Sequence, residues 1–248
     1  MGQYYKIINV DKKQTIYPFD YGNGLKLMEW SYDRNDIVLV LLNQLGNEWK
    51  GDRVYVVGDY AGTENPDESW CAALDSAQKE LECESLYEIS DEFTRVVPGQ
   101  ITSCCKHGKG PTPIIIGSTE DNGYRYIYNH ATRQVIDLKK CPIEWTWFDD
   151  ETKKVFATRI APLPLLLAMG NGRGCGDYRQ AENMKLVGSW CGTSASIEVT
   201  KEPLESARDY DEFAPDFTER KEIVPYTKLD EVIAAEVKKH VTGEGESQ

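Results

Sequence analysis

Gly170-Asn-Gly-Arg-Gly-Cys-Gly-Asp177 is the stretch whose residue types are best suited to holding a ligand. Glycines at alternate positions (Gly170, Gly172, Gly174 and Gly176) let the backbone reach positive φ and turn its N–H groups inward, a geometry that cradles anions. Arg173 can add a bidentate clamp on phosphate or carboxylate, and Asp177 suits a sugar hydroxyl or a cation. With Asn171, these residues predict a small anionic or polyhydroxyl ligand. The stretch fits no known phosphate template: it lacks Gly-Lys-Ser/Thr and a clean strand–GxGxxG–helix setting. The competing reading is a long turn whose glycines only relieve strain.

A second polar cluster lies beside Trp49, in Gly51-Asp-Arg53 and Gly58-Asp-Tyr60. Asp52 and Asp59 flank a short apolar run, so a shared pocket would let the two carboxylates do acid–base work or hold a metal. Alternatively they are ordinary strand-end and turn residues. Cys175, close to Arg173, is the best thiol candidate, against the simpler reading of a small loop residue. No serine or cysteine has an identifiable His and acid partner. His107, His130 and His240 have no partners at ligand spacing, so neither metal nor cofactor is expected. Trp145 and Trp147 alternate along one strand face, as a stacking platform or as core.

The elements that position these groups repeat. At a constant offset of 120, Tyr4, Ile7, Asn9, Gln14 and Ile16 recur as Tyr124, Ile127, Asn129, Gln134 and Ile136. Each stretch reads as a β-hairpin around a four-residue turn, Val10–Lys13 and His130–Arg133. Downstream, Ile37–Leu42, Trp49-Lys-Gly51 and Arg53–Val57 are matched in order by Leu163–Ala168, Trp190-Cys-Gly192 and Ser196–Val199, and Asp91–Arg95 is echoed by Asp216–Arg220. This order predicts an internal duplication. The second copy has 61 residues from Asn129 to Trp190 against 40 from Asn9 to Trp49, and the excess centres on the glycine-rich stretch.

Helical spacing of Trp70, Ala73, Leu74, Ala77 and Leu81 predicts a helix over 67–86 capped by Asp67. Residues 24–30 also read as helical, 36–45 as a helix or a buried strand, and 113–117 as a short buried strand. A last helix over 228–241 is expected behind the N-cap Thr227, with Asp230 and Glu231 in its first turn.

The chain has 248 residues, 41 acidic and 28 basic side chains, and a net charge of −13. Its pI near 4.8 argues against a nucleic-acid binder, which must meet a polyanion with positive charge. Mean hydropathy is −0.52, and the longest apolar run, Ala161–Met169, is too short to span a membrane. The acid is concentrated in two arms, eleven acids against two bases over 59–95 and nine against four over 198–222. These are solvated faces or a surface for a basic protein partner. Seven cysteines without a C-x-x-C, and no basic start leading into an apolar stretch, predict reduced thiols in a cytoplasmic protein. Lys6 stands where a myristoylation signal wants Ser or Thr.

The opening Met1-Gly-Gln-Tyr-Tyr5, with Ile7, Asn9 and Asp11-Lys12, resembles an uncharacterised family of microbial and viral proteins. Gly24–Glu29, Gly51–Val54, Val57–Tyr60, Tyr126–His130, Pro162–Leu166 and Asn171-Gly-Arg-Gly-x-Gly-Asp177 look like further blocks of that family. The resemblance implies a grouping and no activity; where the family pattern has one more glycine, this chain has Cys175. The sequence therefore predicts an α+β fold of two similar β-rich units, each with an added helix, related by a pseudo-twofold. The expected boundaries are 1–105, a linker with a short strand at 106–120, 121–241, and a disordered tail at 242–248. The expected function is intracellular, non-enzymatic binding or assembly. The alternative is a hydrolase or transferase acting on a phosphate- or sugar-bearing small molecule through Asp52, Asp59, Arg173 and Asp177.

Overall fold

The computed structural model describes residues 2–64, 67–99, 111–116, 121–149, 154–170, 184–215 and 217, with backbone alone for 143–149, 154–158 and 184. The fold is mixed α+β. Strands β1 (Tyr5–Asn9) and β2 (Gln14–Ile16) form an antiparallel hairpin in the register Ile7↔Ile16 and Asn9↔Gln14. Its turn closes with Lys13 in the left-handed region at φ 50°. A short helix α1 (Leu27–Trp30) and the longer α2 (Asp36–Gly46) follow. The run that read as either helix or strand is thus a helix, started by the Asn35 side chain accepting the Ile37 N–H. It is buried on most sides, which explains why its apolar pattern shows no clear period.

Strand β3 (Val54–Gly58) pairs antiparallel with β1. Helix α3 (Cys71–Glu80) is shorter than its sequence pattern suggests: Trp70, not Asp67, is the N-cap, and no side chain caps it. The helix ends because Glu82 turns to φ 52°, with the Cys83 N–H on the Gln78 carbonyl and the Glu82 N–H on that of Lys79. That is a Schellman closure made without glycine. Ser85 then caps a separate helix, α4 (Leu86–Ile89). Strand β4 (Thr94–Pro98) runs parallel to β2, and β5 (Ile114–Ile116) runs parallel to β4. Instead of being buried, β5 is an edge strand, with Ile115 62% exposed.

In the second half, β6 (Tyr126–Asn129) and β7 (Gln134–Asp137) pair as Ile127↔Ile136 and Asn129↔Gln134, the register of the first hairpin displaced by 120 residues. Arg133 closes this turn at φ 55°. A separate ribbon pairs β8 (Ile143–Asp149) with β9 (Lys154–Arg159), opposing Trp145 to Thr158 and Trp147 to Phe156. Helix α5 (Pro162–Leu166) leads into β10 (Ala168–Met169). Strand β11 (Ile197–Thr200) pairs antiparallel with β6, and β12 (Asp211–Glu212) pairs parallel with β7.

The two larger sheets have the orders β10-β3-β1-β2-β4-β5 and β11-β6-β7-β12. The central four strands of the first therefore have the same order and directions as the second. The Thr94 N–H bonds the Lys13 carbonyl just as the Asp211 N–H bonds that of Arg133. The segment beside β7 is thus 211–212, and the echo expected at 216–220 is displaced from that position; of it, only Phe217, which is buried, is described. The halves are interleaved: β10 joins the first sheet beside β3, and α2 packs against β11. One hydrophobic core holds residues of both halves. The helix expected at 228–241 and the tail at 242–248 lie outside the described residues.

Candidate functional site

The candidate residues named from the sequence fall in three places. Asp52 precedes β3 and accepts hydrogen bonds from the Asn9 side-chain amide at 2.8 Å and from Lys12. Asp59 follows β3 and accepts the Tyr4 N–H at 3.0 Å. The length of a five-residue strand, roughly 15 Å, separates them, so they form no carboxylate pair. Asp52 ties neighbouring side chains and Asp59 braces the backbone at Tyr4. Gly170 begins the glycine-rich stretch at φ 92°, where a Cβ would lie 2.8 Å from the Ala61 Cα. Asn171, Gly172, Arg173, Gly174, Cys175, Gly176 and Asp177 lie outside the described residues.

The structure brings together a different set. A cleft of about 480 Å³ opens between the segment leading into α2 and the outer part of the second sheet. Its apolar floor comes from Val38, Leu39 and Leu42 on α2, with Leu138 and Ala161 opposite. Tyr124 forms a wall. Its hydroxyl accepts the Asn47 side-chain amide at 2.9 Å, and its ring lies so close to α2 that a Cβ on Gly46 would sit 2.4 Å from it. Glycine at this point is what lets the ring dock there.

Among the described residues, five basic and three acidic side chains line the cleft, a local excess of positive charge in a chain of −13. Two of the cations are committed. Arg159 meets Asp33, which accepts both the Arg159 N–H at 2.9 Å and its guanidinium at 3.1 Å. Arg125 forms a two-pronged pair with Asp137 at 2.7 and 2.8 Å. Burial pushes the Asp137 carboxyl up, but the Arg125 fork and the Lys139 N–H outweigh it and hold the group below its ordinary range. The other three cations are Arg34, Lys139 and Lys201. Among the described residues, none has a carboxylate partner, and Lys201 lies 5.4 Å over the Tyr124 ring. Asp121 and Glu202 are the remaining carboxylates of the lining. Arg34 is held at φ 66°, a left-handed conformation that costs a non-glycine residue of order 1 kcal/mol and recurs at ligand sites.

These three cations escape sequence reading because they come from segments around 34, 139 and 201, none of which is a motif. The one local hint is Asp33-Arg34-Asn35, a charged turn directly before an apolar helix.

Two other clusters use their polar groups internally. Lys6 is buried with its ammonium 2.6 Å from Asp91 and 3.9 Å from the Tyr87 ring centroid. Burial holds its pKa below the ordinary lysine value despite Asp91. His130 is hydrogen-bonded through Nδ1 to the Tyr210 hydroxyl and through Nε2 to Glu198, both at 2.9 Å, and Glu198 also accepts Lys50 at 2.5 Å. This network ties the turn after α2 to the second sheet. Burial pushes the Cys141 thiol up to about 12 and that of Cys191 higher still, and it also raises that of Cys83, so none of these three favours the thiolate. Among the described residues, no group of three or more His, Cys, Asp or Glu is placed to hold a metal ion, and no helix is long and apolar enough to cross a membrane. Compared with known proteins, the chain matches no family model, no curated protein and no solved structure.

Proposed function

We propose that this chain is a non-enzymatic binding or assembly protein, made from a duplicated hairpin unit, that holds a small anion in the cleft between α2 and the second sheet. The observation that carries this reading is that Arg34, Lys139 and Lys201 line one cleft without carboxylate partners among the described residues, while the chain as a whole is strongly acidic. A cation already paired with a carboxylate gains little from a further anion; an unpaired one beside an apolar floor can form a charge-assisted bond. The surrounding negative charge weakens long-range attraction, but at physiological salt that field is screened beyond about 8 Å. Binding without electrostatic steering follows, with a modest on-rate.

The duplication is supported by the shared strand order, the shared register and the matched Asn, Gln and Trp residues of the two units. Thiols at Cys71, Cys83, Cys141 and Cys191 fit a reducing, cytoplasmic setting. The acidic arms supply the surface for a protein partner. The enzymatic alternative finds less support, since Asp52 and Asp59 are apart and engaged with local backbone or neighbouring side chains. Titrating isotope-labelled protein with inorganic pyrophosphate tests the reading. Amide shifts should concentrate at Arg34, Gly123, Lys139 and Lys201. Shifts confined to the surroundings of Asp52 and Asp59, or none at all, would contradict it.

A further inference from the structure

The cleft carries more information than the sign of its charge. Arg34, Lys139 and Lys201 are exposed at its mouth, while Val38, Leu42 and Ala161 are almost wholly buried beneath it. A bare phosphate or sulfate would engage the mouth and leave the partly exposed Leu39 and Leu138 to water. Leu39 and Leu138, both partly exposed, stand between the floor and the mouth. Tyr124 is fixed at both ends, by Asn47 on its hydroxyl and by α2 against its ring, so this wall exists before a ligand arrives. A volume of about 480 Å³ falls in the range of small-molecule sites and is far too small for a folded partner.

Resting on the anion reading above, we infer that the ligand class is the small amphipathic anion: one carboxylate or phosphate head on an apolar or aromatic body. The head meets Arg34, Lys139 and Lys201, and the body lies over Leu39 and Leu138 against the Tyr124 ring. Asp121 and Glu202, also in the lining, disfavour a body that carries a second negative charge. Specificity then comes from the body, because the head contacts are shared by every anion of similar size.

Calorimetric titration of the whole chain with acetate, hexanoate and octanoate, and with inorganic phosphate against phenyl phosphate, tests this. Each methylene that enters the floor should raise affinity about fourfold, and phenyl phosphate should bind at least tenfold tighter than phosphate. Leu39→Ser should flatten the chain-length dependence while leaving phosphate affinity unchanged; Leu138→Ser replaces it if that variant fails to fold. Arg34→Ala should weaken every ligand by a similar factor. Equal affinity for acetate and octanoate, with both lost in Arg34→Ala, would overturn the amphipathic class and leave the anion reading standing. No binding by any of the five would overturn both. A response to vesicles containing anionic lipid but not to octanoate would also overturn the inference, since it would place the headgroup, and not a small molecule, at the mouth.

Discussion

The first and second hairpin units use the same side chains for the same bonds, yet they are finished differently. The Trp49 indole N–H donates to Gln14 at 2.5 Å, and that of Trp190 donates to Gln134 at 3.1 Å. Asn9 accepts the Lys12 N–H in one turn, and Asn129 accepts those of Ala131 and Thr132 in the other. The Asn amide then donates to Asp52 in the first unit and to the Thr193 hydroxyl in the second. Asp52 and Thr193 stand at the same distance past their tryptophans, so one acceptor is charged and the other neutral while the turn stays the same. The units diverge at their edges: among the described residues, the first sheet gains β10 and β5, and the second has four strands. What they share are the bonds that fix the turn and register, and what differs is what each edge meets.

The tryptophans give the sharpest test of this equivalence. Both are buried, Trp49 at 0% and Trp190 at 2% exposure. Trp49→Ala and Trp190→Ala should each destabilise by about 3–5 kcal/mol in denaturant melts. A loss under about 1 kcal/mol at either site would break the comparison.

Next come the turn asparagines. Each is fully buried and satisfies both backbone and side-chain groups, so Asn9→Ala and Asn129→Ala should each cost about 1–3 kcal/mol. Because the first unit leaves the Asp52 carboxylate short of a donor, its loss should be the larger. Equal losses would show that Lys12 alone satisfies Asp52.

The smallest effect concerns the joint between units. The Lys50 hydrogen bond, and after it that of His130, holds the Glu198 carboxyl below its ordinary value, against the opposing pull of burial. A depressed folded pKa means that the group stabilises the fold above its unfolded value near 4.5 and loses that contribution as pH falls through the lower folded value. Glu198→Gln should therefore cost about 0.2–1 kcal/mol at pH 7, as for a partly exposed pair, and nothing near pH 2. A deficit independent of pH would assign Glu198 a packing role instead.

The hairpins and their shared register were legible because the Asn, Gln and aromatic residues recur at fixed spacing. The apolar run at 36–45 was legible as an element but not as a type, since a helix buried on most sides loses its period. The break in the predicted 67–86 helix was hidden because Glu82, not glycine, takes the left-handed position. The cleft was illegible for a different reason. Arg34, Lys139 and Lys201 are ordinary surface residues in sequence, and only the packing of α2 against β11 brings their segments together. Composition could not reveal the cleft either, since a charge of −13 says nothing of where the unpaired cations lie.

Anion affinity in single-site variants tests the central claim most directly. With phenyl phosphate as ligand and calorimetry as the measurement, Arg34→Ala and Lys201→Ala should each weaken binding roughly 10- to 150-fold, the effect of losing one charge-assisted bond of about 1.5–3 kcal/mol. Arg173→Ala and Asp52→Asn should bind as the unaltered chain does. Loss of binding in Arg173→Ala, with Arg34→Ala and Lys201→Ala unaffected, would place the anion at the glycine-rich stretch and contradict the cleft.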